Sequence, residues 1–450
     1  MSILHFSLLL LSLTFSFGRV ALSFVPEPSS FSASPHRSED DIRMIQWAGR
    51  TWRVRPWPGG PGPNLWCDKP DCVWVDGSGA LHLTIRHLDG HWYASEISTA
   101  DFTNFGKHRF YVEGPIDDLD PNVVLGLFLY SNIQDDDVEE LDVEFSTWGD
   151  ATPAADEGWY TTWYQNAIGE QYSFDVSLSG LYTTHVIDWQ AASIDFESLH
   201  GFYQEPPDSS YIIARWNTTN SNVIPTPGDE MRIHLNLWLM NGAAPEDRQE
   251  VEIIIRDLDA PPEIPQNVQA GDGASTHSVP LRWDEVQTAS AYAVYRAESD
   301  AGPGALLGST ALTQFEDVTA EFDRTYTYWV IATNDQGESL RSATDTGWRA
   351  IPLDVAIDLV NGNDVALQWQ HQDAACEYQI FREAQPYFDP DVLTPVATLT
   401  APTSSYAFAD DVGNPAENHY YLVRAIGCAS GNASPSNRTA EFDFALSSGT

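Results

Sequence analysis

Lysine is almost missing from this chain of 450 residues, which carries only Lys69 and Lys107. With arginine the basic total reaches 22 against 65 acidic residues, a formal net charge of −43. Such a surface repels phosphate backbones, so no nucleic-acid partner is expected. It suits a neutral substrate, and it points to a saline setting in which self-repulsion is screened. Cysteine is sparse too. Neither Cys67 and Cys72, in "CDKPDC", nor Cys376 and Cys428 have a matching Cys or His pair nearby, so a zinc site is not expected. In an oxidising compartment the first pair can close a short loop and the second can join two strands. Long apolar runs are absent apart from Leu8 to Phe17, which is too short to cross a bilayer. That run is preceded by no Lys or Arg and ends near the small-residue site Ala21-Leu22-Ser23. We read residues 1–23 as a secretion signal, 24–44 as a linker, and the protein as secreted with no membrane span. Also missing are a G-x-S-x-G elbow, an H-E-x-x-H helix and a Gly-rich phosphate loop.

What is plentiful is strand-forming material. Hydrophobic residues make up 42% of the chain and aromatics 12%, with sixteen Trp. Val, Ile, Thr, Tyr, Phe and Trp alternate with polar residues between Gly, Pro, Asn and Asp clusters, and helical periodicity is scarce, so the expected fold class is all-β. After a Pro-rich boundary, "DAPPEIPQNV", the sequence repeats itself. Trp283, Tyr292 and Arg296 recur 86 residues later as Trp369, Tyr378 and Arg382. The pair of repeats resembles tandem fibronectin type III domains, 262–351 and 352–446. That resemblance implies small two-sheet sandwiches, with Cys376 and Cys428 on neighbouring antiparallel strands. Neither repeat shows a chemical constellation, and a spacer or adhesion role is expected of them. Three Asn-X-Ser/Thr sequons, at Asn217, Asn432 and Asn437, are acceptors only in a host that glycosylates.

Chemistry concentrates in "EELDVEF". Leu141, Val143 and Phe145 alternate with Glu140, Asp142 and Glu144, so one face of a strand enters a core and the other carries only acids. On a very acidic protein such a face can simply be solvated. Three acids in a row can also work together: hydrolysis of a glycoside needs one carboxylate as nucleophile or base and one protonated carboxyl for the leaving oxygen. A third carboxylate between them raises the pKa of at least one member. Residues four apart on a flat strand are about 13 Å apart, so both glutamates must lean over Asp142. The histidines His185 and His234, each alone on a strand, are expected to be structural.

"ELDVEF" resembles the E-[ILV]-D-x-E signature of glycoside hydrolase family 16, and "VWVDGSGALHLTIR", "FGKHRFYVEGPI", "THVIDWQAASIDF" and "EMRIHLNLWL" agree with that family in order. The resemblance covers 45–258. It implies a concanavalin A-like jelly-roll β-sandwich with a cleft on its concave face, an endo-acting retaining β-glycan hydrolase, and a polysaccharide as substrate. By the same resemblance Glu140 is the nucleophile, Glu144 the acid/base and Asp142 the residue that tunes both. Glu96, in "YASEIST", falls at a sugar-binding position, although the arginine expected two residues on is Ser98. Trp148 and Tyr164 are candidate stacking platforms for sugar rings. No cofactor or metal is expected, and the protein is expected to be a monomer. The competing readings are a non-catalytic carbohydrate-binding or adhesion protein on the same fold, and a transglycosylase.

Overall fold

The computed structural model describes residues 42–131, 138–152, 155–165, 167–226, 230–409, 411–412 and 418–441. The expected signal, nearly all of the expected linker, residues 135–137 and the end of the second repeat at 442–446 lie outside them. Met44, assigned to the linker from sequence, instead opens the first strand, Met44–Trp47. Among the described residues every regular element is a strand or a short 3-10 turn, so the protein is all-β.

Two sheets build the first sandwich. One has eight strands in the order Met44–Trp47, Arg50–Val54, Ser95–Thr99, Arg232–Leu239, Val123–Ser131, Glu139–Phe145, Gly158–Tyr164, Ala167–Phe174. The other runs through Ile212–Thr218, Ile194–His200, Tyr182–Trp189, Gly106–Glu113, Val251–Asp259 and Leu81–Leu88. All these neighbours are antiparallel. The sheets pack on one core because each strand alternates. Leu125, Leu127, Leu129, Leu141, Val143, Phe145, Ile233, Leu235 and Leu237 point inward from the first sheet, and Leu81, Leu83, Ile85, Phe110 and Val112 from the second. Burying each such side chain stabilises the fold by roughly 1.5–3 kcal/mol. Cys67 and Cys72 form a disulfide beside this core.

The repeats form two smaller sandwiches with separate cores. Their matching sequence does matching work. Trp283 packs on Tyr292 at 5.4 Å between ring centroids, and Trp369 on Tyr378 at 5.3 Å. In the first sandwich Asp317 accepts from Arg296 and Tyr328; in the second Asp411 accepts from Arg382 and Tyr421. The Cys376–Cys428 disulfide joins adjacent strands of the second, with Cα atoms 4.9 Å apart.

Contacts continue past the boundary expected at Leu258. The strand runs on to Asp259, whose carboxylate takes hydrogen bonds from Arg109 (3.0 Å) and Tyr111 (2.8 Å). Arg50 donates to the carbonyls of Ala260 and Pro261, and Ile264 N–H donates to Asp101 at 2.9 Å. The Pro-rich stretch is therefore packed onto the first sandwich. Beyond it, Gly337 of the first repeat pairs with Gly106, extending the second sheet across the junction. Gly106 has φ +145°, and a Cβ there would come within 2.4 Å of the Gln336 carbonyl oxygen, so glycine permits this seam.

Candidate active site

The Glu139–Phe145 strand lies inside the eight-stranded sheet, flanked by Val123–Ser131 and Gly158–Tyr164. Its inward side chains are fully buried, with Phe145 against His185 at 4.7 Å. Register then fixes the neighbours of the opposite face. Glu140 lies between Tyr130 and Trp163, Asp142 between Phe128 and Thr161, and Glu144 between Gly126 and Trp159. Asp142 is 2% exposed, while Glu140 and Glu144 are half-buried and keep contact with solvent.

The three acids form one electrostatic unit. The carboxyls of Glu140 and Asp142 share a hydrogen bond, and Trp163 favours the ionised form of Asp142. Burial, then the charges of Glu140 and Glu144, push Asp142 well above the usual carboxylate range. Burial, then the charge of Glu140, raises Glu144 to about 8. Glu140 is raised to about 7 by burial, with the hydrogen bond from Asp142 opposing and the Glu96 charge adding to the rise. The three titrate as a set, held above the ordinary carboxylate range, so near neutral pH one face can offer a carboxylate and a proton donor together.

Glu96 comes to the same face from Ser95–Thr99, two strands from the acid strand's neighbour. It is buried, and burial pushes its pKa up. The hydrogen bond from His234 and the charge of Arg55 outweigh that push and hold it below its ordinary value. Arg55 Nη1 lies 2.8 Å from one Glu96 oxygen and His234 Nδ1 3.3 Å from the other. Arg55 itself stacks on Trp66 at 4.4 Å.

The two aromatic candidates fare differently. Trp148, at φ +55°, joins an aromatic group with Trp159 (6.2 Å) and Trp238 (6.1 Å), next to Glu144's side of the strand. Tyr164 pairs with Glu139 and has the opposite parity to the acids, so register does not bring it to their face; Trp163, one residue earlier, stands there. His185 is buried in the second sheet between Ser198 and Thr183, and burial lowers it to about 3, which keeps it neutral. His234 does not share that structural role: it belongs to the acid-bearing face. Asn236 belongs there also, opposite Gly126, where a Cβ would lie 2.4 Å from its Oδ1. The signal for these residues was present in "RIHLNLW", whose apolar Ile233, Leu235 and Leu237 leave Arg232, His234 and Asn236 on the other face.

Elsewhere, a groove of about 370 Å³ lies on the outside of the second sheet, lined by Lys107, Asp188, Asp195, Glu197, Arg215 and Asn217 among others. Four of its charges are paired, Lys107 with Asp188 and Arg215 with Glu197, while Asp195 accepts from Ser193. It presents no buried acid pair, so the acid strand is the candidate site. No group of three or more His, Cys, Asp or Glu side chains among the described residues is arranged to hold a metal ion.

No family model matches the chain, and a search of curated proteins finds no relative. Solved structures do resemble it. A glycoside hydrolase family 16 endo-glucanase from Bacteroides ovatus is 16% identical over 48% of this chain and 96% of its own, with a TM-score of 0.38. An immunostimulatory antigen and pseudo β-1,3-glucanase of Mycobacterium tuberculosis is 15% identical over 47% and 92%, with a TM-score of 0.33. An Fn3-like protein from Clostridium thermocellum is 24% identical over 20% and 97%, with a TM-score of 0.19.

Proposed function

We propose that the protein is an exported endo-acting β-glycan hydrolase that works with retention of configuration. The observation that carries this reading is the alignment of Glu140, Asp142 and Glu144 on one face of an interior strand, with all three carboxyls raised by burial and Asp142 and Glu144 raised further by their acidic neighbours. In the first step the Glu140 carboxylate attacks the anomeric carbon, the glycosidic C–O bond breaks, and Glu144 gives its proton to the leaving oxygen. In the second, Glu144 takes a proton from water, whose oxygen attacks the same carbon and releases Glu140. Asp142 donates its hydrogen bond to Glu140 and so favours the ionised nucleophile. Glu96 binds sugar, and Trp163, Trp148 and Trp159 offer apolar faces for sugar rings. Two disulfides and the apolar N-terminal run support export.

The test is the purified protein against β-1,3-glucan, β-1,3-1,4-glucan and sulfated galactan, scored for reducing ends and for the anomer first released. Retained product, abolished by Glu140→Ala, is the expected result. Inverted product, or normal turnover by that variant, returns the acid face to a solvated surface.

A further inference from the structure

The hairpin loops that follow the matched arginines break the likeness of the two repeats. Between Ala291–Ala297 and Ala305–Thr310 the first repeat has seven residues, "ESDAGPG"; between Ala375–Glu383 and Ala397–Thr400 the second has thirteen, "AQPYFDPDVLTPV". The short loop lies on its own sheet, with Gly304 against Trp329. The long one is braced at several points. Asp389 caps a 3-10 turn at Pro390–Val392 and accepts from Asp391 N–H at 2.9 Å. Arg438 donates to the Phe388 carbonyl at 2.6 Å and lies over that ring at 4.7 Å. Arg424 donates to Asp391 at 2.6 Å and lies over Phe381 at 5.5 Å. Pro386, Pro390 and Pro395 fix three more φ angles. What this framework holds out to solvent is Tyr387, 85% exposed at φ +62°, together with Val392 at 78%. Left-handed backbone is costly for a bulky residue and persists only where the surroundings impose it. The fold of a repeat does not demand it, since the first repeat closes the same hairpin with no aromatic in the loop.

We propose that the Tyr387 loop of the second repeat is a contact for an insoluble neutral polysaccharide, with the tyrosine ring lying against the apolar face of a sugar on the polymer surface. The inference goes beyond the acid face and rests on the glycan reading of that face only for the class of polymer. Size argues against a protein partner. Tyr387 and Val392 together can cover roughly 200–300 Å², whereas each side of a stable protein interface buries about 800 Å², so a second copy of this chain is too large an occupant for the tip. Charge argues for a neutral one. Asp389 and Asp391 match Arg424 and Arg438 in number, and both guanidinium groups are laid on rings inside the loop's own framework. Around that balanced tip the net charge of −43 repels anionic polymers and membranes. One ring holds one sugar weakly, and a polymer surface compensates by presenting many sugars at high local concentration.

Depletion of the full chain from solution by particles of insoluble β-1,3-glucan and β-1,4-glucan, measured in the cold, reads this contact without requiring turnover. The parent should bind at least one of them. Tyr387→Ala should weaken that binding by about fivefold or more, and Tyr387→Trp should keep it. Tyr387→Gly, which removes the ring and accepts the positive φ, should bind as weakly as the Ala variant and melt no lower than the parent. A smaller loss in the Ala and Gly variants, or a parent that binds neither glucan, overturns the contact. Tyr387-dependent binding to sulfated galactan particles or to phosphatidylglycerol vesicles, or Tyr387-dependent self-association in sedimentation, overturns it by assigning the tip to another partner. The hydrolase reading fails on a different result: if glucan binding depends on Tyr387 and no reducing ends appear on any glycan, that reading falls and the contact stands.

Discussion

At the scale of single residues, the hydrogen bond between Asp142 and Glu140 separates two substitutions that look equivalent. Asn keeps a donor for Glu140, while Ala removes it. Loss of a donor to the ionised form raises that group's pKa. Asp142→Ala should therefore move the acidic limb of the kcat/KM profile to higher pH, and Asp142→Asn should leave it nearly in place. Both limbs belong to the coupled acids as a set. Glu144→Gln should cost about 10²–10⁴-fold on ordinary polysaccharide and far less on substrates whose leaving group needs no proton, as initial rates on the two substrate types would reveal. The raised carboxyls also bear on stability. Their folded pKa values exceed the unfolded ones, so between about pH 4.5 and 8 the native state binds more protons and stability falls as pH rises. Glu144→Gln should flatten that fall in a series of melting temperatures.

At the scale of elements, alternation told which residues share a face within one strand. "ELDVEF" behaves as its period-2 pattern requires, down to the fully buried Leu141, Val143 and Phe145. The recurring Trp, Tyr and Arg of the repeats were legible for the same reason, because each local pattern fills one small core. Pairing between distant strands was not legible. His234 meets Glu96 across 138 residues of sequence, and Arg55 reaches it from one residue beyond a strand end. Tyr164 and Trp163 are adjacent aromatics whose parity only the partner strand decides. The last strand of the sandwich shows the same limit. A chain cut after Leu258 strips Asp259 from the buried Arg109 and the carbonyls from the buried Arg50. Removing the partner of a buried charge costs about 3–5 kcal/mol. That chain should melt well below one ending at Pro265, and equal melting temperatures would show these contacts to be dispensable.

At the scale of the whole molecule, charge decides. Arginines are committed to local partners, such as Arg256 with Glu113, Arg296 with Asp317 and Arg109 with Asp259. Exposed pairs are worth about 0–1 kcal/mol each and weaken in salt. The net charge of −43 sets the acids against one another, and that repulsion is screened as the Debye length shrinks from about 10 Å at 0.1 M to about 3 Å at 1 M. Repulsion should outweigh the lost pairs. Calorimetric melting temperatures should rise with sodium chloride, by roughly 2–4 °C for each kcal/mol of repulsion removed; a flat or falling series would argue against a saline setting.

The seam at Gly106 and Gly337 sets how the repeats can serve the acid face. A loose tether lets a binding module roam, and its benefit is a raised effective concentration within the volume it sweeps. Here Lys107 N–H donates to Gln336 O at 3.0 Å, Asn334 holds the Ala260 carbonyl at 2.9 Å, and Asp323 grips the backbone of Ala429 and Ser430 in the second repeat. Little volume is left to sweep. Such a tail acts as a ruler: whatever its far end touches is kept at a set distance from the acid face, and that distance is a property of the joints instead of the time spent nearby.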